Sequence, residues 1–345
     1  MSETTFTSRV QGCLVGVTME AIGLPHETMS HEDIMKLTDG RGLVDLQLPL
    51  KPVTFKSLQG LPLGATSDDW QLTLAVAGSL LDRKSFDLLD IALRHVVEMK
   101  TRTPSWGRAT KNAVQEIAEW FQSAGTSGRH PANVRTWLKD GSGGGNGVGM
   151  KIAPLAIFAA ITESTDKQLA ASCRELGQMT HNDPRAWLAA VALATAILEC
   201  LRGESDPRVI VLRALEVVRQ EEFRGDYDWR DVPKLSEAIE KILDSRATAS
   251  AEALRKTAGV SCFAMESIPF VLGSFLRHPI DIRTGVLEVL NAGGDTDSNI
   301  GMYAALAGAF AGLESIPEEW RKNIPDSEVA VKIAKRFLGL VKFER

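Results

Sequence analysis

Apolar residues return every three or four positions along most of this 345-residue chain. Leu72, Ala75, Val76, Ser79 and Leu80 show the i, i+3, i+4 spacing of one helix face directly after an acidic pair. The same period predicts helices over 86–99, 110–121, 154–160, 185–201, 207–218, 235–243, 251–257, 282–290, 300–311 and 327–341. Alternating, strand-like runs are scarce and tyrosine is rare. The chain therefore reads as mostly α-helical. Two segments interrupt the pattern: a proline-punctuated stretch over 43–63 and a glycine-rich loop over 141–149. There is no tandem repeat and no low-complexity linker.

A chain of this length exceeds the usual single core, so one large domain or two smaller ones are compatible with it. The net charge is −5 and no basic block stands out, so nucleic-acid binding has no electrostatic support. Cys13, Cys173, Cys200 and Cys262 are scattered without a CxxC or Cys/His spacing. That argues against zinc and for reduced thiols in a cytoplasm. Residues 1–10 are polar and carry no apolar signal core, and the apolar stretch 187–197 is too short to span a bilayer. A cytoplasmic location with no membrane partner is expected.

Two acidic clusters carry chemistry. In Asn291-Ala292-Gly293-Gly294-Asp295-Thr296-Asp297-Ser298, carboxylates and hydroxyls alternate after a glycine pair, ahead of a helix of small residues. Far upstream, Ser67-Asp68-Asp69 opens another helix. Each cluster alone reads as a helix cap. Together they could form one two-metal site, because closely packed oxygens suit a hard cation such as Mg²⁺. A cation would also remove the repulsion that otherwise raises at least one carboxylate pKa. Gly301, Ala305, Gly308 and Gly312 recur at helical spacing and predict close helix packing behind the second cluster. The glycine loop is either a flexible linker or a backbone that lets an anionic ligand approach closely. His181, Glu27 and Trp106 have ordinary readings as a structural histidine, a loop acid and a packed tryptophan.

Several segments together resemble the ADP-ribosylglycohydrolase family, which includes the dinitrogenase-reductase-activating glycohydrolase and the ADP-ribosylarginine hydrolases. The family's opening helix is matched by Gly12-Cys13-Leu14-Val15-Gly16 and Glu20-Ala21-Ile22-Gly23-Leu24-Pro25-His26-Glu27. Its T-D-D-T appears as Ser67-Asp68-Asp69-Trp70, and its Asn-Gly loop before M-R-I-A-P as 145–154, with Lys151 at the Arg position. Its T-H-x-x-P-x-A appears as Thr180 to Ala186, its G-G-D-x-D-[ST] as Gly293 to Ser298, and a family-like tail runs over 307–320. The matches stand in order over nearly the whole chain.

The resemblance implies an all-α fold, one compact domain over 1–345, and a di-magnesium cleft (Mn²⁺ being the alternative ion). It implies a Mg²⁺-dependent hydrolase of the glycosidic bond at C1 of the ribose of ADP-ribose. An ADP-ribosylated protein, modified on arginine first, is the expected substrate. A non-catalytic ADP-ribose- or protein-binding member, or a hydrolase of another ribosylated small molecule, is the alternative. Carried over residue by residue, Ser67, Asp68, Asp69, Asp295, Asp297 and Ser298 become metal-ligand candidates. Asp69, Asp295 or Glu27 becomes the general base. Gly145, Asn146, Gly147 and His181 become ligand contacts, and Trp106 a platform for adenine. Two departures stand out: Glu20 replaces the family's usual Asp, and Trp70 replaces the second Thr. Trp70 is expected to bring a large ring beside the metals and reshape the pocket.

Overall fold

A computed structural model describes residues 5–51, 59–101, 106–123, 142–224 and 226–341. Residues 52–58 of the proline-punctuated stretch and Gly141 of the glycine loop lie outside them. The helices are α1 (Phe6–Thr18), α2 (Glu20–Gly23), α3 (His31–Leu37), α4 (Asp68–Arg83), α5 (Leu88–Thr101) and α6 (Arg108–Ser123). They continue with α7 (Ala153–Ile161), α8 (Asp166–Thr180), α9 (Pro184–Arg202), α10 (Pro207–Glu222), α11 (Leu235–Leu243) and α12 (Ala251–Ala258). The last are α13 (Ala264–Arg277), α14 (Ile282–Ala292), α15 (Thr296–Ala311), α16 (Glu318–Asn323) and α17 (Asp326–Leu338). Among the described residues there is no strand, only two isolated bridges, Ser30 to Gly293 and Gly145 to Phe263. The all-α expectation holds.

The core is built around α1, α9 and α15. α9 is buried along almost its whole length. This corrects the expectation drawn from 187–197, because the full 19-residue helix is long and apolar enough to cross a membrane by length and composition. Its apolar character is accounted for by burial inside the helical assembly, which asks the same composition of a core helix. Asp183 caps it at the start by accepting from the Arg185 amide at 2.9 Å, and Gly203 ends it in a left-handed conformation.

α1 and α15 touch backbone to backbone. A Cβ at Gly308 would lie 2.2 Å from the Gly12 carbonyl oxygen, and one at Gly16 would lie 2.2 Å from the Ala304 carbonyl oxygen. The small-residue face of α15 is therefore a packing device, and it fixes the axial position of both helices. That rigidity matters for the site, since α15 begins at the second acidic cluster and α1 leads into Glu20 and Glu27.

α1, α2, α3, α8, α13 and α16 lie outside the periodic segments. α13 carries Pro269 in its interior, which removes one backbone donor and interrupts the sequence signal of a helix. α8 is opened by a capping box between Thr165 and Gln168.

Candidate metal centre and ligand cleft

The Gly293-Gly294 pair shapes the first wall of the site. Both residues have positive φ, 76° and 79°, a conformation that strongly favours glycine. The turn is clamped on two sides. The Gly294 amide donates to the Met29 carbonyl and the Thr28 amide donates to the Gly294 carbonyl, each at 2.8 Å, while the Asp295 amide donates to the Val260 carbonyl at 2.9 Å. Residues 27–29 are thus pinned against the start of α15. One oxygen from each of Glu27, Asp295 and Asp297 falls within 4.8 Å of the others. Glu27, a loop acid by its residues alone, is therefore part of the acidic centre.

The second wall is the first turn of α4. Ser67 caps this helix, its Oγ accepting from the Asp69 amide at 3.3 Å. Glu20 completes the cap from α2: its Oε1 accepts from the Ser67 and Trp70 amides, each at 3.0 Å, and its Oε2 accepts from the Ser67 hydroxyl. The extra methylene of Glu20 thus reaches the open end of α4. Asp68, Asp69 and Ser298 line the cleft with Glu27, Asp295 and Asp297, while Ser67 is fully buried behind them. Trp70 does not reach the cleft, contrary to expectation. It is fully buried in the hydrophobic core, because its place on α4 turns it away from the acidic centre.

The electrostatics are those of carboxylates crowded out of water. Burial, reinforced by Glu20, Asp68 and Asp295, pushes Asp69 well above the usual range. Burial, with Glu27, Asp295 and Asp69, does the same to Asp297. Glu27 is pushed up to about 8 by burial and then by Asp295, Asp68 and Glu20. Glu20 is also raised to about 8 by burial, against the lowering pull of its bonds to Ser67. Asp295 is raised less, because burial is opposed by the Asn146 amide. Oε2 of Glu27, Oδ2 of Asp69 and Oδ1 of Asp297 are buried with no hydrogen-bond partner among the described residues. Acceptor oxygens left without donors, converging from two walls, fit a hard cation.

The cleft they open into measures about 960 Å³. The glycine loop closes one side. Nδ2 of Asn146 donates to Asp295 Oδ2 at 2.6 Å and to Ser267 Oγ at 3.0 Å, so Asn146 orients an acid of the centre. Gly145 and Gly147 face the His181 ring, and a Cβ at Gly147 would lie 2.9 Å from its Cε1. The loop needs small residues there to admit that ring. His181 Nδ1 pairs with Thr180 Oγ1 at 2.9 Å, and burial together with Lys151 lowers its pKa to about 3, keeping the imidazole neutral. Trp106 also lines the cleft, its indole Nε1 donating to Gln71 Oε1 of α4 at 3.2 Å.

Three contributions were not singled out from the sequence. Arg108 and Lys111, both exposed, line the cleft from the start of α6. Phe263 also lines it, with the Arg185 guanidinium 5.3 Å from its ring centroid. Lys151, in the 149–151 turn after the glycine loop, is fully buried, and burial lowers its pKa to about 7 against the raising charge of Asp68 and Asp69.

The description ADP-ribosylglycohydrolase belongs to a sequence family whose model matches residues 2–344. The ADP-ribosylhydrolase ARH3 of Mus musculus is 26% identical over 339 residues, covering 92% of this chain and 87% of that protein. The ADP-ribosylhydrolase ARH3 of Homo sapiens is 27% identical over 338 residues, covering 92% and 89%. A solved structure titled "ADP-ribosylglycohydrolase-related protein complex" superposes with a TM-score of 0.67 at 24% identity. The match covers 98% of this chain and 99% of that one and shows a shared fold.

Proposed function

From the premise that this chain belongs to the ADP-ribosylglycohydrolase family of hydrolases, we propose that it hydrolyses the bond at C1 of the ribose of ADP-ribose. Its substrate is an ADP-ribosylated protein, arginine-linked as first candidate, and its reaction depends on Mg²⁺. The observation that carries the reading is the lining of one cleft, which combines five carboxylates, Glu27, Asp68, Asp69, Asp295 and Asp297, with Trp106, Arg108 and Lys111. A ligand that joins a diol-bearing sugar, a pyrophosphate and an aromatic base matches that combination of groups.

Asp68, Asp69, Asp295, Asp297, Ser298 and Glu27 would hold two Mg²⁺ ions, with Mn²⁺ as the alternative. Bound there, the ions supply an anchor for ribose hydroxyls and a lowered pKa for a water. The chain's own residues do the rest. Whichever of Glu27, Asp69 and Asp295 is left uncoordinated accepts the proton of the attacking water. The negative field of the site favours the positive charge that develops on the ribose in an oxocarbenium-like transition state. Asn146 holds Asp295 in one orientation through its amide. The neutral His181 and the Gly145–Gly147 backbone present hydrogen-bonding groups to the distal part of the ligand, and Arg108 and Lys111 face its phosphates.

The test is release of ADP-ribose from arginine-linked and O-linked ADP-ribosylated protein, with Mg²⁺ and with EDTA. Release should require the metal and fall about 100-fold or more in Asp297→Ala, with the variant still helical by circular dichroism. Undiminished turnover in EDTA or in the variant would refute the metal-dependent reading. Tight ADP-ribose binding without turnover of either linkage would favour a binding protein.

A further inference from the structure

Five hydrogen bonds join the glycine loop, α13, the residues just ahead of α13 and the start of α15 into one closed ring. The Val260 carbonyl accepts from the Asp295 amide at 2.9 Å and from Asn299 Nδ2 at 3.0 Å. Asn299 Oδ1 accepts from the Ser267 hydroxyl at 2.6 Å. Ser267 Oγ accepts in turn from Asn146 Nδ2 at 3.0 Å, and the same Nδ2 donates to Asp295 Oδ2 at 2.6 Å. Ser267 on α13 and Asn299 on α15 are fully buried and do not line the cleft.

The direction of each bond follows from the groups that make it. A backbone carbonyl only accepts, so Asn299 turns its NH₂ to Val260 and its oxygen to Ser267. The single proton of the Ser267 hydroxyl is thereby committed to Asn299, and its oxygen is left as an acceptor for Asn146. Asn146 must then present its NH₂ to Ser267, which puts the second N–H of that group on Asp295. The reversed amide would set its carbonyl oxygen against two acceptors, a costly arrangement for buried groups. The backbone keeps the loop in register for this contact. The Asn146 amide donates to the Cys262 carbonyl at 2.9 Å, and the Ala264 amide donates to the Gly144 carbonyl at 2.8 Å.

We propose that Ser267 and Asn299 are positioning residues of the metal centre. They lock the Asn146 amide with its NH₂ toward Asp295 and so hold the Asp295 carboxylate in the orientation that takes up a divalent cation. The inference rests on the reading that the centre binds divalent cations. Neither residue reaches a ligand itself, and both act through Asn146.

The experiment is calorimetric titration of Mg²⁺ and of Mn²⁺ into the EDTA-stripped full chain, run as a double-mutant cycle. It compares wild type, Ser267→Ala, Asn146→Ala and the double variant, each first shown to be helical by circular dichroism. Ser267→Ala should weaken binding of at least one ion about tenfold, the scale for losing a group that orients a metal-binding carboxylate. In the Asn146→Ala background the same change should move the affinity by less than about twofold, because the amide it orients is gone. Asn299→Ala carries the same cycle should Ser267→Ala not fold. Wild-type affinity in Ser267→Ala overturns the proposal. So does an equal loss in both backgrounds, which would make Ser267 a packing residue whose effect bypasses Asn146. Absence of metal binding in wild type instead overturns the metal-centre reading, and the proposal with it.

Discussion

Replacing Glu20 separates its capping role from its charge. Its carboxylate accepts three hydrogen bonds from one end of α4: two backbone amides at 3.0 Å and the Ser67 hydroxyl. Both partner residues, Ser67 and Trp70, are fully buried, so water does not take over when the acceptor is lost. An unsatisfied buried donor costs about 1–3 kcal/mol. Glu20→Ala strips two amides outright, while the hydroxyl can turn to another acceptor, for a total of about 3–5 kcal/mol. At roughly 2 °C per kcal/mol for a chain of this size class, the midpoint should fall by about 6–10 °C. Glu20→Gln keeps one oxygen for the two amides and places its NH₂ where it donates to Ser67 Oγ. Because burial has already shifted Glu20 toward its protonated form, to about 8, the amide mimics the neutral acid and should cost under about 1 kcal/mol at pH 7. Glu20→Asp restores the family's usual residue but falls short of the cap by one methylene, so its midpoint should lie between the other two. The assay is thermal unfolding by circular dichroism at pH 7 in EDTA. An alanine variant within about 2 °C of wild type, or a glutamine variant as unstable as alanine, would refute the capping argument.

The same acids predict a pH dependence. Glu20 and Glu27 rise from 4.5 to about 8 on folding, so the metal-free folded state binds more protons than the unfolded chain between those values. Stability is then fullest below about 4.5 as far as these groups are concerned and is lost as pH rises through about 8. Unfolding midpoints measured in EDTA should drop across pH 5–8.5 and recover with Mg²⁺ at the alkaline end; a profile flat in pH and unaffected by the ion would contradict this. Cys262 offers an independent readout of the cleft. It is the exposed one of the four cysteines and lines the cavity beside Phe263. Maleimide should modify one thiol per native chain, and ADP-ribose with Mg²⁺ should slow that reaction several-fold, an effect that disappears if the ligand binds elsewhere.

What could be read from the chain and what could not divide along a physical line. The turn at Gly293-Gly294 and the acids behind it are legible because conformation, helix start and ligand chemistry are all encoded within eight consecutive residues. The small-residue face of α15 is legible for the same reason, since its spacing lies within one helix, although its partner Gly12 stands nearly three hundred positions away. α8 is harder. Its buried Leu169, Ala170, Cys173, Leu176, Gly177 and Met179 keep helical spacing, but Ala170 and Gly177 add little hydrophobic signal between the larger side chains. Trp70 shows the limit of arguing from a neighbour in sequence. Asp69 and Trp70 are adjacent, yet one helical step of about 100° sends the carboxylate into the cleft and the indole into the core. Glu20 and Lys151 are marked in the sequence only as exchanges within family motifs, with nothing to show what they touch. An acid in an apolar opening helix and a lysine before Ile152 read as isolated polar residues. Only the meeting of α2 and α4 reveals that the acid closes a helix end. Burying a charge is costly enough that a fold retains it only where something answers it. In this chain the charge of Glu20 is answered at the first turn of α4, which is why the acidic centre that begins there and the stability of that helix should respond to the same substitution.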